Sequence, residues 1–174
     1  MSKKSSRSAL TLIGVDIENE CNIPLLTNAA AMFGADRAFA CGDLPQERCV
    51  VGAEAVQLDS LLGKHAHILA IETGKRATDI FDFPAPRGGS TAILVGNELN
   101  GMSSGILKRA DHVLSIPMYS GGLTSINVAA AAATALYLIE NDPARNRLGN
   151  PSFRPRETDL LIVSPGEPSE LGSL

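Results

Sequence analysis

The chain has 174 residues, 44% of them hydrophobic and 20% charged, with 15 basic against 19 acidic side chains and a formal net charge of -4. That length suits one α/β domain of the usual about 100–200 residues and excludes a multidomain machine. The mild acidity argues against a protein that holds nucleic acid by overall charge, and the absence of Trp, with two Tyr and five Phe, argues against a base-stacking platform.

Short β-rich runs alternate with helical patterns, which predicts a mostly parallel sheet with helices on both faces. Residues 10–15 read as a first strand, apolar enough to be buried on both faces. Asn22-Ile23-Pro24 then opens a helix, with Asn22 as its cap and Pro24 in the first turn, and Gly34 ends it. Residues 37–41 form a second strand, 55–58 a short third and 60–64 a helical turn. Further strands follow at 67–72, 91–95 and 113–116, with a short helix at 103–109 between the last two.

The last element is a long helix over 125–140, in which only Asn127 and Thr134 are polar between Ile126 and Ile139. A helix apolar nearly all round needs cover on several sides, so a subunit interface is favoured over a central helix of a monomer core. Residues 1–8 are expected to be a flexible N-terminus and 9–141 the folded domain. The Pro-, Arg- and Gly-bearing residues 142–174 are expected to form a partly disordered arm.

No apolar run reaches the roughly 18 residues of a membrane span, and the polar, basic N-terminus has no apolar segment after it, so a cytoplasmic protein is expected. Cys21, Cys41 and Cys49 are odd in number and form no C-x-x-C pair, so neither a disulfide framework nor a zinc site is indicated. His65 and His67 alternate, but no third ligand is placed by spacing, and no metal is expected.

There is no G-x-x-x-x-G-K-[ST] loop, G-x-G-x-x-G turn or H-E-x-x-H helix. Three junctions remain, each expected at the carboxyl end of a strand where parallel sheets bind ligands. They are Asn19-Glu20-Cys21-Asn22-Ile23-Pro24, the run Leu94 through Gly96-Asn97-Glu98-Leu99 to Ser103, and Ile116-Pro117-Met118 through Gly121-Gly122 to Ser125-Ile126-Asn127.

In this order N-x-x-N-I and F-G-A, then L-V-G-N-E-x-x-G-M-S, then I-P-M and S-I-N-V-A-A-A resemble the three motifs of the TrmH-like (SpoU) group of SPOUT methyltransferases. The resemblance covers about residues 10–140. It implies a C-terminal trefoil knot, an S-adenosylmethionine site within it, a homodimer, and 2′-O-ribose methylation of tRNA or rRNA. Carried over by position, the cofactor contacts are Thr73, Leu94, Gly96, Asn97, Glu98, Ile116, Met118, Ser125, Ile126 and Asn127. The catalytic positions are Asn19, Asn28, Glu98, Ser125 and Asn127, with Glu98 and Asn127 organising the site.

The resemblance also exposes departures. The family carries an arginine in the first-motif helix where this chain has Asn28, which a helical wheel sets opposite Ile23, Leu26, Ala30 and Phe33 on the accessible face. A carboxamide neither takes a proton nor pairs with phosphate as a charge. Leu99 stands where the family has glycine, so it should restrict the turn or project over the cofactor loop, and the third motif is one residue longer, absorbed at Gly121-Gly122. Arg37, Lys75, Arg76 and Arg87 are replacements by charge only, and Arg145, Arg147, Arg154 and Arg156 form a local basic stretch that could grip RNA. Because of Asn28, a methyltransferase with a non-RNA acceptor and a non-catalytic SAM- or RNA-binding dimer stay open beside RNA methylation.

Overall fold

The computed structural model of the protein describes residues 9–40, 48–51, 54–118 and 125–141. The expected N-terminal segment, the C-terminal arm with its arginines, Cys41 and the Gly121-Gly122 insertion lie outside them. So does the path from Met118 to Ser125, on which the expected knot depends.

The elements are β1 (Leu10–Gly14), α1 (Asn22–Met32), β2 (Arg37–Ala40), β3 (Arg48–Val51), β4 (Glu54–Gln57), α2 (Leu58–Leu62), β5 (His67–Ile71), β6 (Thr78–Asp79), β7 (Thr91–Val95), α3 (Ser104–Leu107), β8 (His112–Ser115) and α4 (Val128–Asn141). Six strands form one sheet in the order β2-β1-β7-β5-β8-β6, and every pairing is parallel. β3 and β4 make a separate antiparallel pair. The sequence predicts only one strand in that region and no β6, whose two residues are too short to show a period.

Every residue of β1 and β7 is buried, which is why these segments are continuously apolar. Alternate side chains go to opposite faces. Leu10, Leu12, Leu69, Ile71, Ile93 and Val95 pack with α1 and α4 through Ile23, Leu26, Ala132 and Leu136. On the other face Ile13, Ala70, Ala92 and Leu94 pack with α2 and α3 through Leu58, Leu61, Leu62 and Ile106. The expected two-sided layering is what the structure shows.

Two helix starts differ from expectation. Asn22 is the first residue of α1 and not its cap; Cys21 holds the cap position without a side-chain bond. The Asn22 side chain is buried because its carboxamide is bonded to two other loops, so it is not free to cap. α4 starts three residues later than expected because Asn127 is its cap. The Asn127 Oδ1 accepts from the amides of Ala129 at 2.9 Å and Ala130 at 3.3 Å, satisfying donors that the first helical turn leaves unpaired.

α4 buries Val128, Ala129, Ala132, Ala135, Leu136 and Ile139 against the sheet and α1. Its remaining face is exposed at Tyr137, whose ring meets Phe33 edge-on at a centroid distance of 6.0 Å. Among the described residues no helix is long and apolar enough to cross a membrane.

Candidate active site

Among the connections that leave the sheet at its carboxyl end are those after β1, β5, β7 and β8. The last three enclose a cavity of about 300 Å³. Its floor is Ile71, Val95, Val128 and Ala131, and its walls are Glu72 and Thr73, Gly96 through Gly101, Ile116, Met118, Ser125 and Ile126. Apolar side chains thus face a rim of polar groups and backbone, the composition expected of a preformed small-molecule site.

The loop after β7 is held by its own sequence. Asn97 Oδ1 accepts from the amides of Leu99 and Asn100, both at 2.9 Å, and the Asn97 carbonyl accepts from Gly101 N at 2.9 Å. Asn97 Nδ2 donates to the Asp16 carbonyl at 2.9 Å, joining the loop to the one after β1. Glycine is required at two points: a Cβ on Gly96 would lie 2.6 Å from Met102 Cγ, and one on Gly101, at φ +65°, would lie 2.4 Å from Glu72 Oε2. Leu99 is not among the positive-φ residues, so the turn does not need glycine there, and its side chain is 79% exposed on the cavity rim.

Glu72 ties two walls together. One carboxylate oxygen accepts from Met102 N at 2.9 Å and the other from Thr73 N at 2.8 Å. A second tie joins three loops through side chains alone. Asn127 Nδ2 donates to Asn22 Oδ1 at 2.9 Å, and Asn22 Nδ2 donates to Glu98 Oε1 at 2.5 Å. Glu98 also accepts from the amides of Glu18 at 3.0 Å and Asn19 at 3.2 Å.

Burial pushes the Glu98 carboxyl upward, but the bond from Asn22 and the amides of Glu18, Glu98 and Asn19 together outweigh it and hold the group below the usual carboxylate value. The carboxylate is therefore ionised at neutral pH and serves as an acceptor that gathers donors. The sequence allows Glu98 to complement the dipole of the helix after it, yet α3 starts only at Ser104, capped by Ser103. The donors to Glu98 come instead from the approach to α1.

The structure brings Thr73, Gly96, Asn97, Glu98, Ile116, Met118, Ser125 and Ile126 together in the cavity wall. It does not bring in the rest. Leu94 is fully buried in the core on the α2–α3 face and does not reach the cavity. Asn127 acts on the site through Asn22. Asn19 bonds to Cys21 N through its Oδ1 at 3.0 Å and shapes the turn into α1. Asn28 is exposed on α1 and outside the lining.

Sequence reasoning misses Glu72 and misassigns Asn22. An acid directly after a buried strand signals the first; nothing local signals the second, whose partners lie 76 and 105 residues away. His65 and His67 do not converge. His65 contacts Leu61 O and Thr11 Oγ1, His67 contacts Gly88 O, and both sit at the amino end of the sheet.

A six-stranded parallel sheet with a cavity built from the loops after β5, β7 and β8 has the architecture of the SPOUT-type α/β methyltransferases. The chain belongs to the SpoU rRNA Methylase family, whose profile matches residues 39–137. No curated protein matches it by sequence.

Solved structures share the fold. A TrmH/SpoU tRNA modifying enzyme from A. aeolicus aligns with TM-score 0.64 at 20% identity, over 82% of this chain and 79% of its own. AviRb from Streptomyces viridochromogenes, a SpoU methyltransferase in complex with AdoMet, aligns with TM-score 0.57 at 21% identity over 78% of this chain and 61% of its own. An AdoMet-bound rRNA methyltransferase from Sinorhizobium meliloti aligns with TM-score 0.58 at 13% identity, over 78% and 57%. This chain therefore spans about three fifths of the length of the last two.

Proposed function

We propose that the protein is a homodimeric methyltransferase that uses S-adenosylmethionine to methylate RNA, at a ribose 2′-hydroxyl of tRNA or rRNA. The observation that carries this reading is the cavity itself, enclosed by the glycine- and asparagine-bearing loops that follow β7 and β8 in a chain of the SpoU family. Relatives of the same fold that act on tRNA and rRNA, two of them with AdoMet bound, support the cofactor and the substrate class.

The donor set fits the cofactor. Ile116, Met118 and Ile126 offer apolar walls to a purine, and the backbone of Gly96 to Gly101 offers groups for its polar edges. When bound, S-adenosylmethionine supplies an electrophilic methyl group on a sulfonium. This chain's residues then have to orient it and exclude water. Glu98 fixes the loop, Asn22 and Asn127 fix Glu98, and Ser125 presents an exposed hydroxyl at the cavity wall. Asn28 cannot act as a base.

The dimer reading rests on the outer face of α1 and α4. Leu25 and Met32 are 50% and 63% exposed, Tyr137 is 53% exposed, and Asn28 lies on the same stripe of α1 as the first two. A second copy of the chain would cover this apolar face.

Calorimetric titration with S-adenosylmethionine, sedimentation, and transfer of labelled methyl to bulk tRNA and rRNA test the reading. Binding by a dimer, with label that survives alkaline hydrolysis as a 2′-O-methylated dinucleotide, is the expected result. A folded protein that binds no cofactor overturns the methyltransferase reading, and cofactor binding with no transfer to either RNA overturns the substrate.

A further inference from the structure

We propose that the Gly74–Ala77 turn provides the cationic contact for the RNA backbone at this site, through Lys75 and Arg76. The inference rests on the reading above that RNA is the substrate. RNA is a polyanion whose binding depends on neutralising phosphates with Lys and Arg, and the cavity lining contains no basic side chain but two carboxylates, Glu72 and Glu98. Glu18 and Glu20 are exposed at the approach to α1, and Asn28 farther along that helix is neutral. Cations must therefore come from elsewhere at the same end of the sheet.

The parallel topology sorts the basic residues whose side chains are described. Arg37 opens β2, Lys64 precedes β5, Arg87 precedes β7, and Lys108 and Arg109 precede β8, so all five lie at the amino end. Arg109 is moreover paired with Asp59 at 3.1 Å. Lys75 and Arg76 sit instead on the connection from Ile71 to Thr78, both of which pair with Leu114 near the end of β8, so this connection stays at the carboxyl end of the sheet. They occupy the central positions of a turn closed by the Ala77 N to Gly74 O bond at 3.1 Å, so both side chains stand outward. Both are exposed, and neither makes an ion pair among the described residues. Thr73, which lines the cavity, is two residues from Lys75. Substrate RNA thus approaches over the β5–β6 connection, away from the acidic side at Glu18 and Glu20.

The test compares Lys75→Ala/Arg76→Ala with Lys64→Ala/Arg87→Ala, an equal charge change at the other end of the sheet, using bulk tRNA and rRNA as probes at several salt concentrations. The first variant is expected to keep the wild-type melting temperature and S-adenosylmethionine affinity. Its RNA affinity should fall about tenfold or more, with the slope of log affinity against log salt reduced by about 1.5, as for two lost phosphate contacts. Lys75→Arg/Arg76→Lys should restore both. Unchanged RNA affinity and slope in the Ala pair, or an equal loss in the Lys64/Arg87 pair, overturns the proposal while wild-type RNA binding keeps the substrate reading. Absence of RNA binding by the wild type overturns that reading and this inference with it.

Discussion

The Asn22 side chain donates to Glu98 Oε1 across 76 residues of sequence and accepts from Asn127 Nδ2 across 105. One buried carboxamide in the first turn of α1 therefore holds the loop after β7 and the cap of α4 in a single arrangement. A carboxamide suits this place because it donates to the carboxylate on one side and accepts from an amide on the other; neither an acid nor a lysine does both at neutral pH.

Removing the acceptor should loosen the site more than the fold. Glu98→Ala is expected to cost about 1–2 kcal/mol in urea unfolding, toward the low end for bonds to a charged group because the carboxylate is partly solvated. Its S-adenosylmethionine affinity should drop at least about tenfold in calorimetry, the equivalent of 1.4 kcal/mol. Equal affinity in a folded Glu98→Ala protein would show that the carboxylate does not organise the cavity.

Acid should weaken the same tie. The Glu98 carboxyl titrates below its ordinary value of 4.5 in the folded chain, so the unfolded chain binds more protons between the two values. Its contribution is complete above pH 4.5 and is lost as the pH falls through the lower folded value. Denaturant unfolding across about pH 3–6 should show this loss in the wild type and a flatter profile in Glu98→Gln.

His65 makes the protein respond at milder pH. Burial lowers the imidazole below its ordinary 6.5, with Arg37 and Lys64 acting in the same direction and the bond to the Leu61 carbonyl opposing them. The folded chain therefore favours the neutral ring. Stability from this group is complete above 6.5 and declines as the pH drops toward the folded value. His65→Gln should remove that slope, read by unfolding between about pH 5 and 8.

Two glycines on either side of the cavity should behave oppositely. Gly101→Ala places a Cβ against Glu72 Oε2 at positive φ, and should cost about 1–3 kcal/mol or more with a matching loss of cofactor affinity. At Gly74 a Cβ meets nothing within 4 Å, so Gly74→Ala should leave the melting temperature nearly unchanged. Equal melting temperatures for the two would contradict the close approach of Glu72 to Gly101.

The exposed face of α1 and α4 gives a test of assembly. Met32→Glu/Tyr137→Glu should convert a dimer to a monomer in sedimentation, while the far-ultraviolet dichroism stays that of the wild type, because both side chains are more than half exposed in the single chain. An unchanged sedimentation coefficient would place the contact elsewhere.

Much of the architecture was legible because it is written locally. Continuous apolar runs at β1 and β7 announce strands buried on both faces, and glycine and asparagine at strand ends announce ligand loops. The motif at Gly96 to Met102 led to the cavity wall, since tight turns depend on neighbours in sequence. At Leu99 the backbone has no positive φ, so the turn accepts a side chain, which stands on the cavity rim.

The amino-acid sequence by itself determined the alternation of strands and helices, apart from β3 and the short β6, and the two-sided core, and it pointed to the loops that line the cavity, because periodicity and turn chemistry act over a few residues. Only the tertiary structure decided what those loops do to each other. Asn22 was free to be a helix cap until Glu98 and Asn127 were brought beside it, and Glu72 was an ordinary acid until the Met102 amide came within 2.9 Å. The same holds for charge: sequence left Arg37, Lys75, Arg76 and Arg87 equivalent, and the direction of the parallel strands separated them. Hydrogen bonds and electrostatic contacts act over a few ångströms of space, whatever the distance along the chain.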